Sequence, residues 1–285
     1  MTTFDPPRSV VRRLVEQALA EDIGILGDIT SLACIDDGVS GEAAFVARSD
    51  GVLAGTALAT ETYRQLDDEV DVHWYVHDGD SLASGAHIGR VAGPLRSILT
   101  GERTALNFLC HCSGIASMTH RYVMAAHGKV RVLDTRKTLP GLRAVQRAAV
   151  RAGGGFNHRD SLSDAVLIKD NHLAANSIAK SVARARSSWP GRLVEVECDS
   201  LDQVIEARDA AVDRVLLDNM TSEQVREAVA RLEGVAEVEV SGGVTLESVS
   251  AYAESGADFV SVGALTHSVP AFDIGLDIHP GHEVT

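Results

Sequence analysis

The chain has 285 residues, 45% hydrophobic and 23% charged, a composition that excludes a disordered chain and fits one barrel-sized domain or two unequal ones. Its 26 basic residues stand against 40 acidic ones, a net charge of −14, which excludes a general nucleic-acid binder, because phosphate affinity comes largely from Lys and Arg. No run approaches the ~18 apolar residues of a membrane span, and residues 1–7 lack the basic-then-apolar order of a secretory signal.

Four cysteines, Cys34, Cys110, Cys112 and Cys198, do not make a disulfide framework in a chain this long, so a reducing cytoplasm is expected. Cys110-His111-Cys112 is spaced too tightly for a Cys-x2-Cys zinc site and reads as buried thiols.

The first element is a helix. Asp5 is placed to cap it, Pro6 and Pro7 suit its first turn, and Val10, Val11, Leu14, Val15, Ala18 and Leu19 recur at helical spacing. Strands follow around residues 44–47 and 70–76, where Val70, Val72, Trp74 and Val76 alternate with wet-face Asp71, His73, Tyr75 and His77. A helix over 56–66 lies between them, and 86–92 adds another strand. This order predicts an N-terminal α+β sandwich over residues 1–112. Residues 95–109 read as a helix interrupted by Gly101, and a second helix over 115–126 leads away from the sandwich.

From residue 130 short apolar runs alternate with amphipathic stretches. The runs are 130–133, 165–168, 193–196, 214–217, 236–240 and 258–262, with helices such as 201–208, 222–232 and 246–254 between them. This is the βα repeat of a parallel sheet, here with six strands instead of the eight of a complete barrel. An incomplete parallel α/β barrel is expected over residues 113–269. The tail, 270–285, alternates Phe272, Ile274, Leu276 and Ile278 with polar or small residues and reads as a strand returning to the first domain.

In such a repeat, chemistry gathers at the C-terminal ends of the strands. Those ends carry Thr135, Arg136 and Lys137; Lys169; Glu197; Asp218; Ser241, Gly242 and Gly243; and Gly263 and Ala264. The Gly-rich loop before Arg159 adds His158. Arg136, Lys137, His158, Arg159 and Lys169 are cations clustered in an acidic chain, which implies an anionic small molecule with more than one acidic group. Glu197 and Asp218 suit Mg2+ or ribose hydroxyls, or else pair with a neighbouring Lys or Arg. The two glycine loops let backbone N–H groups approach a phosphate, with the next helix adding its positive end. Lys169 is also open to a role as Schiff-base nucleophile.

The stretches Thr100–Asn107, Asp134–Arg143, Asn157–Arg159, Leu167–His172, Leu217–Asn219 and Ser261–Thr266 together resemble the quinolinate phosphoribosyltransferase family. The resemblance runs from about Asp22 to about Asp273. It implies an N-terminal sandwich, an incomplete C-terminal barrel, and homodimers in which one sandwich covers the partner's barrel mouth and Arg103 acts in trans; whether dimers assemble further stays open. It implies that Arg136, His158, Arg159 and Lys169 bind the carboxylates of quinolinate, and that Lys137 faces the diphosphate of phosphoribosyl pyrophosphate (PRPP). Glu197 and Asp218 would hold Mg2+ and the ribose, and Ser241–Gly243 and Gly263–Ala264 the 5-phosphate. Lys137, Glu197 and Asp218 are the candidate catalytic residues. The implied products are nicotinate mononucleotide, pyrophosphate and CO2, a step in NAD synthesis. Three other readings remain: a molybdenum-associated relative of the same architecture, a Schiff-base aldolase or isomerase, and a non-catalytic binding protein.

Overall fold

The computed structural model describes residues 5–279. The elements are, in order, α1 (Arg8–Ile23), α2 (Ile29–Cys34), β1 (Ser40–Ala47), β2 (Gly51–Val52), α3 (Thr56–Leu66), β3 (Asp71–Trp74), β4 (Ser81–Leu82), β5 (His87–Pro94) and α4 (Leu95–Ala125). Then come β6 (Arg131–Leu133), α5 (Arg143–Ala152), β7 (Val166–Ile168), α6 (Asp170–Leu173), α7 (Ile178–Ser188), β8 (Val194–Cys198) and α8 (Leu201–Asp209). The chain ends through β9 (Arg214–Asp218), α9 (Ser222–Leu232), β10 (Glu237–Ser241), α10 (Val249–Ala253), β11 (Phe259–Ser261), α11 (Ala264–His267) and β12 (Ile274–His279).

Two compact units result. Within the described residues, one comprises 5–118, 139–154 and 268–279, the other 119–138 and 155–267. The expected boundary at 112/113 falls inside α4, and α5 groups with the first unit. In that unit β12, β1, β5 and β3 form one sheet, β12 pairing antiparallel with β1 from Ile274↔Ala47 to His279↔Glu42. The remainder of the tail, 280–285, lies outside the described residues. Phe45 from β1 stacks on Trp74 from β3 at 4.9 Å, and Tyr63, Leu53, Ile88, Ile98 and Leu109 close the core around them.

Two helix expectations change. The first helix begins at Arg8 with Pro7 as its N-cap, ψ 133°. The extended ψ of Pro7 leaves Asp5 and both prolines outside the first turn. The helices expected over 95–109 and 115–126 are one 31-residue helix, α4. No proline or cap interrupts residues 110–114, and Ser113 fastens this stretch by accepting the N–H of Ala54 and donating to its carbonyl. Cys112 is buried there, and all four cysteines are free thiols. No helix among the described residues is long and apolar enough to cross a membrane.

The second unit is a six-stranded parallel sheet in the order β6-β11-β10-β9-β8-β7. The six expected strands are all present. The sheet does not close among the described residues: β6 and β7 are its edges, and one bridge, Leu133↔Phe156, extends the β6 side. Alternation sets the two faces. Val194, Val196, Val215, Leu217, Val238 and Val240 are buried on one face. Glu195, Glu197, Arg214, Leu216, Asp218, Glu239 and Ser241 occupy the alternate positions, and most of them meet around a common cavity.

Candidate active site

The loops that carry the cations are held by buried polar anchors. Asp134, 1% exposed, follows β6. Its carboxylate accepts the side-chain N–H of Asn157 at 2.6 Å and the backbone N–H of His158 at 2.8 Å, so two strand-end loops share one clamp. Thr135 Oγ1 accepts the Lys137 N–H, and Thr266 Oγ1 donates to the Lys137 carbonyl at 2.8 Å. Arg159 Nη1 donates to the Ala165 carbonyl at 3.0 Å. After β7, the Lys169 N–H donates to His172 Nδ1.

These side chains converge on one cavity of about 440 Å³. Thr135, Arg136, Lys137, His158, Arg159, Lys169, Glu197, Asp218 and Ser241 line it, joined by Leu167, Leu216, Glu239 and Ser261. Positions 136, 159 and 169, which had to share a site for the cationic reading to stand, therefore do. Burial and then the Arg136 guanidinium lower the Arg159 pKa, outweighing the opposing charges of Glu195 and Asp164. Arg136 Nε is buried with no hydrogen-bond partner among the described residues, and such an atom calls for an acceptor.

The acids divide. Glu197 accepts an ion-pair hydrogen bond from Lys169 Nζ, so the alternative of a neighbouring Lys partner applies to it. Asp218 accepts from Asn219 Nδ2 at 2.7 Å instead. Lys169, 40% exposed on its side chain and ion-paired, lacks the desolvated setting of a Schiff-base lysine.

Several expected residues lie off the cavity wall. Gly242, Gly243, Gly263 and Ala264 do not line it. Gly242 has φ +89°, and a Cβ there would stand 2.2 Å from Asn219 Oδ1, so glycine is needed for turn and space alike. The helix expected over 246–254 is shorter: α10 starts at Val249, behind a Thr245–Ser248 turn in which Thr245 N–H donates to Ser248 Oγ and Ser248 N–H to Thr245 Oγ1. Arg103, in the first unit, is 65% exposed and lines a different cavity of about 270 Å³ with Asp22, Asp28 and Thr100.

Comparison with known proteins agrees with the geometry. Family models for the quinolinate phosphoribosyl transferase N-terminal and C-terminal domains match residues 28–113 and 115–277. The chain belongs to the quinolinate phosphoribosyltransferase family. It is 44% identical to a nicotinate-nucleotide pyrophosphorylase [carboxylating] of Mycobacterium leprae, over 96% of this chain and 98% of that one. It is 40% identical to a probable nicotinate-nucleotide pyrophosphorylase [carboxylating] of Bacillus subtilis, over 96% and 95%. The solved nicotinate-nucleotide pyrophosphorylase of Francisella tularensis superposes with a TM-score of 0.92 at 40% identity, covering 98% of this chain and 99% of that one.

The quinolinate phosphoribosyltransferase C-terminal match spans every strand end around the cavity. Sequence reasoning missed Asp134 as an anchor and Glu195, Arg214, Glu239 and Ser261 beneath the cations. The signal was present: Val-Glu-Val-Glu-Cys over 194–198 and Glu-Val-Glu-Val-Ser over 237–241 alternate acid with apolar. Reading the runs as simply apolar hid the acidic face.

Proposed function

We propose that this chain transfers the phosphoribosyl group of PRPP to quinolinate with decarboxylation, giving nicotinate mononucleotide, pyrophosphate and CO2 on the route to NAD. One observation carries the reading: Arg136, His158, Arg159 and Lys169 share a cavity with Glu197 and Asp218. A pyridine dicarboxylate needs paired cationic donors, and a ribose with a diphosphate needs oxygen acceptors and neutralising charge.

In this reading Arg136, His158, Arg159 and Lys169 take the two carboxylates and aim the ring nitrogen at C1 of the ribose. The nitrogen lone pair forms the N–C1 bond as the C1–O bond to diphosphate breaks, and positive charge develops on the sugar. Glu197 and Asp218 orient the ribose and favour that charge, while Lys137 neutralises the departing diphosphate. The positive charge of the ring nitrogen, now quaternary, stabilises the electron pair left on the adjacent carbon when its carboxylate leaves as CO2, and that pair then takes a proton from water to form the C–H bond.

The residues fit Mg2+. Glu197 and Asp218 end adjacent strands, are partly exposed and face one cavity, and Mg2+ is bound through one or two carboxylates together with substrate phosphates and water. The ion would supply charge neutralisation at the diphosphate. We further propose a cytoplasmic homodimer to which Arg103 contributes in trans.

Incubation with carboxyl-labelled quinolinate tests the function. Labelled CO2 and a pyridine nucleotide form only when PRPP and Mg2+ are both present; failure to form either with all components present overturns the assignment.

A further inference from the structure

Beneath the cationic loops lies a buried charged cluster to which the reaction described above assigns no part. Glu195 on β8 and Glu239 on β10 are 1% and 0% exposed. They reach past β9 from its two sides, with Arg214 between them. Both converge on a single atom of the cavity wall: His158 Nε2 is 3.1 Å from Glu195 Oε2 and 3.3 Å from Glu239 Oε2. We propose that Glu195 and Glu239 are positioning residues that fix the ring of His158 and supply its counter-charge, so that it faces the incoming substrate as a permanent cation. The substrate half of this statement rests on the functional reading above; the cluster itself does not.

Charge accounting supports it. Two carboxylates out of water demand compensation. Glu239 receives Arg214 Nη1 at 3.2 Å and the Ser261 hydroxyl. Arg214 also serves Glu237 at 2.8 Å and lies 4.1 Å from the centre of the Phe259 ring, so its charge is divided. Glu195 has Oε1 buried without a partner among the described residues, and its hydrogen bond is to His158. Burial and the charge of Glu239 raise the Glu195 pKa, so it is Glu195 that a neutral ring would leave without a hydrogen-bonded cation among the described residues.

The other groups around His158 do not replace this role. Asp134, after β6, accepts the backbone N–H of His158. Arg159, next in the loop, is a cation and opposes protonation of its neighbour. Lys169 and Glu197 pair with each other. Burial by itself works against a charged imidazole, but the hydrogen bonds and charges of Glu195 and Glu239 outweigh it and raise the His158 pKa to about 10. The three groups lie within 4.8 Å, a spacing that would also suit a metal ion. Here the guanidinium of Arg214 already occupies Glu239, and a proton shared from Nε2 completes the set.

The test begins with the unaltered chain, without substrate. NMR titration of the His158 ring, assigned by its loss in His158→Asn, is expected to show the ring protonated through pH 9. A midpoint near the ordinary ~6.5 of histidine overturns the proposal whatever the protein's activity, and this measurement needs no variant to fold. Glu239→Gln then lowers the midpoint by about 2.5 units, to about 7.5, so that the ring is mostly neutral at pH 8.5. In steady-state kinetics the same variant raises KM for quinolinate roughly tenfold at pH 8.5 and only about twofold at pH 6, where the ring regains its proton. KM for PRPP stays within about twofold at both. Equal losses at both pH values, or for both substrates, overturn the proposal in favour of a merely structural cluster. A high midpoint in a protein that turns over no quinolinate upholds the cluster and overturns the functional reading.

Discussion

At the level of single residues, the cavity is built from charges that are satisfied unequally. Arg136 has a buried nitrogen without a hydrogen-bond partner among the described residues, whereas Lys169 is engaged by Glu197. The two therefore respond differently to truncation, although both bind carboxylate in the proposed complex. Arg136→Ala removes charge-assisted bonds worth about 1.5–3 kcal/mol each, so quinolinate affinity falls roughly ten- to a hundredfold while PRPP affinity changes little; calorimetric titration of each ligand reads this. Lys169→Ala also frees Glu197, which is assigned to the ribose, so it alters PRPP binding as well. An Arg136→Ala variant that weakens both ligands equally would remove the division of roles. His158 adds a pH dependence of folding. Its pKa in the folded chain, about 10, lies above the ordinary histidine value. The stability it contributes is fully present below pH ~6.5 and is lost as pH rises through its folded value. The stability gap between the unaltered chain and His158→Gln in urea unfolding is thus widest near pH 6 and narrows toward pH 10.5. A gap independent of pH contradicts the ion-paired ring.

At the level of elements, what the sequence made legible follows from periodicity. The six parallel strands and α9 stand out because each is a short apolar run or an amphipathic stretch with its own start and stop, and the strand ends carry residues with no structural reason to be so charged. The interior acids at 195 and 239 were hidden because a one-dimensional run does not say which alternate position faces the cavity. The continuity of α4 was hidden because the polar stretch 110–114 looks like a break, while its anchoring partner, Ala54, is remote in sequence. Gly101 shows the same limit. In the sequence it is only an unfavourable residue within a helix, but a Cβ there would stand 2.7 Å from Tyr63 Cε1 and 2.8 Å from Leu66 Cδ1, both on α3. Alanine gains about 1 kcal/mol of helix propensity. Forcing α3 away costs about 1–3 kcal/mol, and the fully buried Tyr63 ring has little room to yield, which places the cost toward the upper end. Gly101→Ala is therefore destabilising by about 1–2 kcal/mol net, a loss of a few degrees in Tm for a chain of this size. A rise in Tm by circular dichroism would show that the two helices can separate freely.

At the level of the whole molecule, one proposed substrate ligand has no counterpart in the cavity it is meant to serve. Arg103 is exposed on α4 and lines a different cavity from that of Arg136 and Lys169. In a homodimer with two-fold symmetry, any residue reaching the partner's site does so twice, so each site is assembled from both chains. This gives the trans arrangement a quantitative consequence. Suppose chains carrying Arg103→Ala are co-expressed with chains carrying Lys169→Ala, and each homodimer is inactive. Random pairing makes about half of the dimers hybrids. In a hybrid, the site built on the Arg103→Ala chain keeps its own Lys169 and receives Arg103 from the other chain, so it is whole. The opposite site carries both defects. One working site in half of the dimers restores about a quarter of the unaltered activity. If Arg103 instead serves the site of its own chain, every site in the hybrid has one defect and none is restored. Tagging the two chains differently and purifying the hybrid by both tags raises the expected recovery to about half, and a pure hybrid as inactive as its parents excludes contribution in trans.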